Sequence, residues 1–257
     1  MFSRFFKREK SEKEKYNDLP IPANASFAFL GTDMHSHFIA GIDDGAKTID
    51  DSIVLLRNME AMGYKAVVTT PHVMIDFYPN TNTTIREGLE KLRIAARENN
   101  IGLEINAAAE YYIDEYFVEL LEKEPLLTVQ KNEVLVEFSM MFEPPMLHNT
   151  LFNMQKKGYK PILAHPERYQ SLHNNFDKYA EFKDRGCYFQ LNMLSLTGYY
   201  GANVANIAGK LLEKGMYDYC GTDMHHEKHA AAINNVLKSR LYTTLVNYPF
   251  LNSKLCF

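Results

Sequence analysis

The chain has 257 residues, 46% hydrophobic and 23% charged, enough for one packed domain at a length where α/β barrels commonly run undivided. A formal net charge of −4 gives no general case for binding nucleic acid. Cys187, Cys220 and Cys256 are odd in number and far apart, which argues against a disulfide scaffold and for reduced thiols in a cytoplasm.

Met1 to Lys15 (MFSRFFKREKSEKEK) lacks the apolar core of a signal peptide. No later run approaches the roughly 18 apolar residues of a spanning helix. Residues 1–25 are therefore expected to be a flexible leader arm and 26–257 a single domain. Phe2, Phe5 and Phe6 beside the cations offer weak membrane attachment, but a solvated leader is the favoured reading.

Strand-like and helix-like segments then alternate. Phe27 to Leu30 is strand-like and leads to the first histidine pair; Ser52 to Met62 has helical spacing and stops at Gly63. Ala66 to Thr70 is a β-branched strand ending at Pro71-His72, and Thr84 to Asn99 a charged amphipathic helix. Ile101 to Ala107 precedes Glu110, and Ile113 to Glu122 is helical. Val134 to Val136 precedes Glu137, Pro145 to Lys157 is helical, and Pro161 to Ala164 precedes His165. Helix Phe176 to Asp184, strand Cys187 to Leu191 and helix Ala202 to Lys214 follow. Tyr217 to Cys220 precedes Asp223, and a last helix covers Glu227 to Lys238.

This alternation, repeated about seven times, predicts parallel strands with crossover helices. Nine candidate metal ligands recur along it: His35, His37, Asp44, His72, Glu110, Glu137, His165, Asp223 and His225. Most close a strand-like run. An open sheet gathers chemistry from few strand ends, whereas ligands on at least six require a closed barrel. Imidazole and carboxylate donors without thiolate favour borderline or hard divalent ions in an open catalytic site.

The individual signals differ in strength. His35 and His37 share a strand face, although a lone H-x-H is often coincidence; Asp33, on that face, is expected to orient a histidine. Asp43-Asp44-Gly45 reads as a tight turn, with ligand and capping roles both open. Glu137 ends an apolar run, where an unpaired charge is costly, so a ligand is favoured over a buried salt bridge. His165-Pro166 repeats the strand-end arrangement of His72, and Asp223-Met224-His225 repeats Asp33-Met34-His35. His148 and His173 are expected to be structural, His226 and His229 to lie on a helix surface, and Cys187 and Cys220 to be core residues.

The stretches DMHSHFIAGIDDGAKT, TTPHVMIDFYPN, AAAEYYIDEYF, LVEF, LAHPERY and GTDMHH, in this order, resemble the polymerase and histidinol phosphatase (PHP) superfamily of metal-dependent phosphoesterases. Within it the chain is most similar to bacterial capsule-type protein-tyrosine phosphatases. The resemblance implies a distorted (β/α)7 barrel of the PHP type, with the metal site at the C-terminal ends of the strands. It implies three divalent ions, manganese being expected and iron, zinc or magnesium the alternatives. His35, His37, Glu110 and Asp223 would hold one. Glu110 would bridge to a second, joined by Glu137 and His165; Asp44, His72 and His225 would hold the third. Asp44 is thereby preferred over Asp43, and Asp44 and His72 join Arg168 as the expected catalytic residues. Arg168 matches the arginine that grips substrate phosphate, a role its planar fork suits. The other reading of Arg168 is a surface salt bridge to Glu167. After His225 the chain departs from the pattern, and Lys228 is an unmatched stand-in for a second basic clamp.

Four carboxylates against three divalent ions leave an excess near +2, suited to a phosphate dianion. No cysteine lies in a Cys-x5-Arg loop, so hydrolysis without a phosphoenzyme is expected. Tyrosine, with a phenol pKa near 10, leaves more readily than an alkyl alcohol. The Met74 to Thr84 loop and Tyr199-Tyr200-Gly201 are candidate rims. The implied partner is the phosphorylated tyrosine-rich tail of a membrane-anchored bacterial kinase controlling capsular or extracellular polysaccharide, and the resemblance also allows a homo-oligomer. The rival enzyme acts on a small phosphomonoester such as histidinol phosphate. A binding barrel should show gaps among the ligands, and an amidohydrolase should carry a lysine at a ligand position.

Overall fold

The computed structural model describes residues 21–256, so the Phe2, Phe5 and Phe6 arm lies outside the described residues. In chain order the elements are β1 (Thr32–Asp33), α1 (Ile49–Ala61), β2 (Ala66–Thr69), β3 (His72–Val73), α2 (Asn82–Glu98), β4 (Glu104–Ala107), β5 (Glu110–Tyr112) and α3 (Glu115–Lys123). There follow β6 (Glu133–Glu137), α4 (Leu147–Lys156), β7 (Lys160–Ala164), α5 (Asp177–Asp184), β8 (Tyr188–Asn192), α6 (Ala202–Glu213), β9 (Tyr219–Gly221), α7 (Glu227–Val236) and α8 (Arg240–Val246).

The strands form two ladders, β1-β2-β4 and β3-β5-β6-β7-β8-β9, and every pairing between them is parallel. Parallel neighbours need crossovers, which the helices supply. Pro71 interrupts the run from β2 to β3, but Ala108 N still donates to Thr69 O and Glu110 N to Pro71 O. Thus β2 with β3, and β4 with β5, each make one strand path, and nine segments reduce to seven. The circuit returns to its start past β9: Ser36 and Met224 form a parallel bridge, His37 N donates to Met224 O, and Asp223 N to His35 O. The α/β fold with parallel strands and crossover helices is the one expected.

Alternation along the strands sorts the core into two faces. Val134, Val136, Leu163, Phe189 and Leu191 belong to the large cluster with the helices. Leu135, Ile162, Ala164, Met34, Val68, Ala108 and Tyr219 belong to a smaller one. On β6 the residue two beyond Leu135 is Glu137, so the smaller face ends at its C-terminal edge in functional side chains.

Some boundaries moved. Phe27–Phe29 is a 3-10 turn, because Phe27 N donates to Met62 O and its ring packs on Tyr64 at 5.8 Å, so this apolar run plugs the core instead of pairing. Helix α1 starts at Ile49, because Thr48 and Asp51 form a reciprocal capping box ahead of the apolar periodicity. The last helical region continues beyond α7 into α8, whose N-cap is Ser239. Among the described residues no helix is long and apolar enough to cross a membrane.

Asp33 orients no histidine ring. Its buried carboxylate accepts from Thr222 N at 2.8 Å and Thr222 Oγ1 at 2.9 Å, tying β1 to the end of β9. Burial pushes its pKa up to about 7, against the lowering effect of those hydrogen bonds. With the folded value above the unfolded one near 3.9, the folded chain binds the extra proton, so stability falls as pH rises from about 4 to 7. Asp33→Asn keeps an oxygen for Thr222 N–H and never ionises. In chelator, its urea midpoint relative to wild type is expected to rise between about pH 5 and about pH 8. A difference independent of pH contradicts the assignment.

Candidate metal centre

All nine candidate ligands converge at the C-terminal ends of the strands. His35 and His37 lie on the extended path beyond β1, two residues apart and on one side. Glu110 opens β5 opposite His72 in β3, and Glu137 ends β6. His165 and Asp223 follow β7 and β9 with φ of 33° and 49°. Left-handed backbone costs a non-glycine residue about 1 kcal/mol or more, and here it turns two functional side chains off their strands. Asp44 arrives on the loop after His37. A Cβ at Gly45 would collide with the carbonyl and Cβ of His37, so only glycine lets this loop close over the ring.

Three groups of donor atoms each lie within 4.8 Å: His35, His37, Glu110 and Asp223; His72, Glu110 and Glu137; and His37, Asp44, His72 and His225. Glu110 spans the first two, with Oε2 3.1 Å from His35 Nε2 and 3.2 Å from His72 Nδ1. Its Oε1 is 3.1 Å from His165 Nε2, which is 3.8 Å from Glu137.

The donor set fits divalent cations, because the ring tautomers turn bare nitrogens inward. His37 Nδ1 lies 2.8 Å from Asp43 Oδ2, so its proton sits there and Nε2 is bare. His35 Nδ1 lies 2.8 Å from Gln190 Oε1, an oxygen that also accepts from His165 N, so His35 Nε2 is bare as well. These Nε2 atoms are 3.4 Å apart and face Asp223 Oδ1 at 3.4 Å each. Buried His72 Nδ1 makes no hydrogen bond although Glu137 Oε1 is 3.1 Å away. Lone pairs aimed at lone pairs among buried groups call for cations between them.

Without such ions, protons take their place. Burial raises the pKa of Glu110, but His35 and His72 outweigh it and hold the carboxylate well below its usual range. Burial likewise raises Asp223, and His35 with His37 and His225 overcomes it. Burial lowers His72, but Glu110 and Glu137 leave it raised to about 9.

A cavity of about 350 Å³ opens over the donors, lined also by Met140, Arg168, Tyr200, His226 and His229. Arg168 Nη1 donates to Asp223 Oδ2 at 3.0 Å, and its guanidinium lies 4.4 Å from the Tyr200 ring centre. It is not paired with Glu167, whose buried carboxylate instead accepts from Asn192 N at 2.9 Å and Tyr217 OH at 3.0 Å. Lys228 is exposed and does not line this cavity. Of the expected rims, Tyr78 stacks on His72 at 5.4 Å, and Tyr199 stands 45% exposed beside Tyr200.

Two expectations are corrected. Asp43 is more than a turn residue, since it bonds the His37 ring while accepting from Gly45 N at 2.9 Å. His229 is not a helix-surface residue: only 7% exposed, it faces the cavity, whereas His226 is the exposed N-cap of α7. Buried Cys187 and Cys220 are core residues as expected, and His173 accepts a structural place with Nε2 2.8 Å from Glu167 O. Sequence reasoning missed Gln190 and Asn192, the latter donating to Asp223 Oδ2 at 2.7 Å. Their signal was present: two polar residues at i and i+2 flank Leu191 on an apolar strand, the spacing of His35 and His37.

Residues 31–239 match the family model described as capsular polysaccharide synthesis, CpsB/CapC. The tyrosine-protein phosphatase CpsB of Streptococcus pneumoniae is 32% identical over 200 residues, covering 76% of this chain and 82% of the relative. The tyrosine-protein phosphatase YwqE of Bacillus subtilis is 27% identical over 197 residues, 76% of this chain and 78% of the relative. A solved structure from work on these two proteins, described as unique metal-dependent tyrosine phosphatases, superposes with a TM-score of 0.76 at 26% identity. It covers 87% of this chain and 90% of that one. An amidohydrolase from Mycoplasma synoviae shares the fold at a TM-score of 0.55 and 15% identity.

Asp43→Ala frees the His37 ring to turn and to change tautomer. Loss of such a support is expected to weaken metal binding about 10- to 100-fold, read by competition with a chelating dye. Unchanged affinity would show that Asp43 serves only the turn.

Proposed function

The chain belongs to the CpsB/CapC family, and from that premise we propose that it is a metal-dependent protein-tyrosine phosphatase acting in the control of capsular or extracellular polysaccharide. The observation that carries the reading is a single cavity that seven of the nine metal-type donors line beside Arg168, with His35 and His37 grouped with Glu110 and Asp223 next to it. The substrate is the phosphorylated tyrosine-rich tail of a membrane-anchored bacterial kinase, met in the cytoplasm, where the three unpaired cysteines stay reduced. Three divalent ions, manganese first, would be held by His35, His37, Glu110 and Asp223; by Glu110, Glu137 and His165 with His72 beside them; and by Asp44, His72 and His225.

When bound, such ions lower the pKa of water towards neutrality and offset charge on the phosphoryl oxygens. The remaining work falls to the chain. Glu110 and Asp223 stay ionised through the neutral range, so the donor set remains anionic. Asp43 and Gln190 hold His37 and His35 with their Nε2 lone pairs turned inward. Arg168 keeps one nitrogen on Asp223 and stacks on Tyr200, so the guanidinium waits in a fixed orientation to grip phosphoryl oxygens. Tyrosine departs without strong protonation, its pKa being about 10. No cysteine lines the cavity, so no thiol has to carry the phosphoryl group.

The test is kcat/KM on a phosphotyrosyl peptide with protein stripped of metal and then reloaded with manganese. Activity should return only on reloading and exceed that on a phosphoseryl peptide. His35→Ala and Arg168→Ala should each lose at least about 100-fold while remaining folded. Wild-type rates in both folded variants would defeat the site assignment, and faster turnover of histidinol phosphate than of the peptide would favour the small-molecule reading.

A further inference from the structure

We propose that His229 is a further substrate-contacting residue, its Nε2–H donating a hydrogen bond to the phosphoryl group beside Arg168. The inference rests on the reading that this cavity receives phosphate. It begins with the local fold. His226 caps α7, its Nδ1 accepting from His229 N at 3.4 Å, which places His229 in the first turn. The ring turns inward between Tyr199, edge-on at 5.1 Å, and His225 at 5.6 Å, and lines the cavity together with Arg168 and Tyr200.

The hydrogen bonds fix where its proton lies. A backbone N–H can only donate, and that of His225 points at His229 Nδ1 from 3.3 Å, so Nδ1 accepts. The same Nδ1 is 3.2 Å from Asp223 O, but a nitrogen that accepts from the His225 N–H cannot also donate there, and that carbonyl is served by His225 Nδ1 at 2.9 Å. The His225 ring therefore carries its proton on Nδ1, and neutral His229 carries its own on Nε2. Among the described residues both polar contacts of the His229 ring are made by Nδ1, which leaves Nε2–H to the cavity. Arg168 supplies charge; His229 supplies a neutral, directional donor that costs nothing to orient when the anion arrives.

The test compares His229→Phe, which keeps a ring and removes the donor, with His229→Gln, whose amide nitrogen reaches about as far as Nε2. Both are made in the full, manganese-loaded chain. Inorganic phosphate binding is measured by calorimetry, metal content by mass spectrometry, and kcat and KM on a phosphotyrosyl peptide. The Phe variant should keep its metal and melting temperature, bind phosphate about 10-fold more weakly and lose about 100-fold in kcat. The Gln variant should recover most of both. Wild-type phosphate binding in the Phe variant overturns the proposal. So does loss of metal from that variant, which would make the ring a support for Asp223 and His225, or a Gln variant no better than Phe. An inactive wild type would count against the phosphatase reading alone, because phosphate binding still decides the role of His229.

Discussion

The structure depends on one electrostatic constraint. Bare imidazole nitrogens and ionised carboxylates are crowded into a buried site where they repel one another unless cations sit between them. Glu110 is the hub: fully buried, it lies within 3.5 Å of His35, His37, His72 and His165, which come from three separate strand paths. Each strand end brings a charge or lone pair that would be costly there alone.

That constraint propagates outward. The rings must present the correct nitrogen, so Asp43, Gln190 and the carbonyl of Asp223 each hold the opposite one. These partners must themselves be fixed: Gln190 Nε2 donates to Leu191 O, and Asp43 accepts from Gly45 N. Space is limiting too. A Cβ at Gly221 would meet His35 and Gln190, just as one at Gly45 would meet His37. The left-handed backbone at His165 and Asp223 belongs to the same economy, since a strand continuing straight would carry these side chains past the centre.

Much of this was legible in the sequence because strands impose a period of two and parallel sheets align their ends. His35 and His37, Glu137 after its apolar run, and the paired His72-type and His165-type strand ends all follow from that rule. Long-range partnerships were not legible. Gln190 meets His35 across 155 residues, and the local pattern that marks each end does not say that the two are partners. Asp43 and Asp44 are neighbours of one chemistry, and only the path of the loop turns the first to the His37 ring and the second to His72 and His225. Phe27 to Leu30 has the composition of a strand but finds its partners in Met62 and Tyr64. His229 looked solvent-facing because helical spacing alone does not say that its neighbour His226 takes the cap.

The most direct test of the account is a crystal of the manganese-loaded protein measured at the manganese absorption edge. The account predicts anomalous peaks inside the three donor groups, with Glu110 shared between two of them. Peaks elsewhere, or a fully loaded protein whose nine side chains touch no metal, would contradict it.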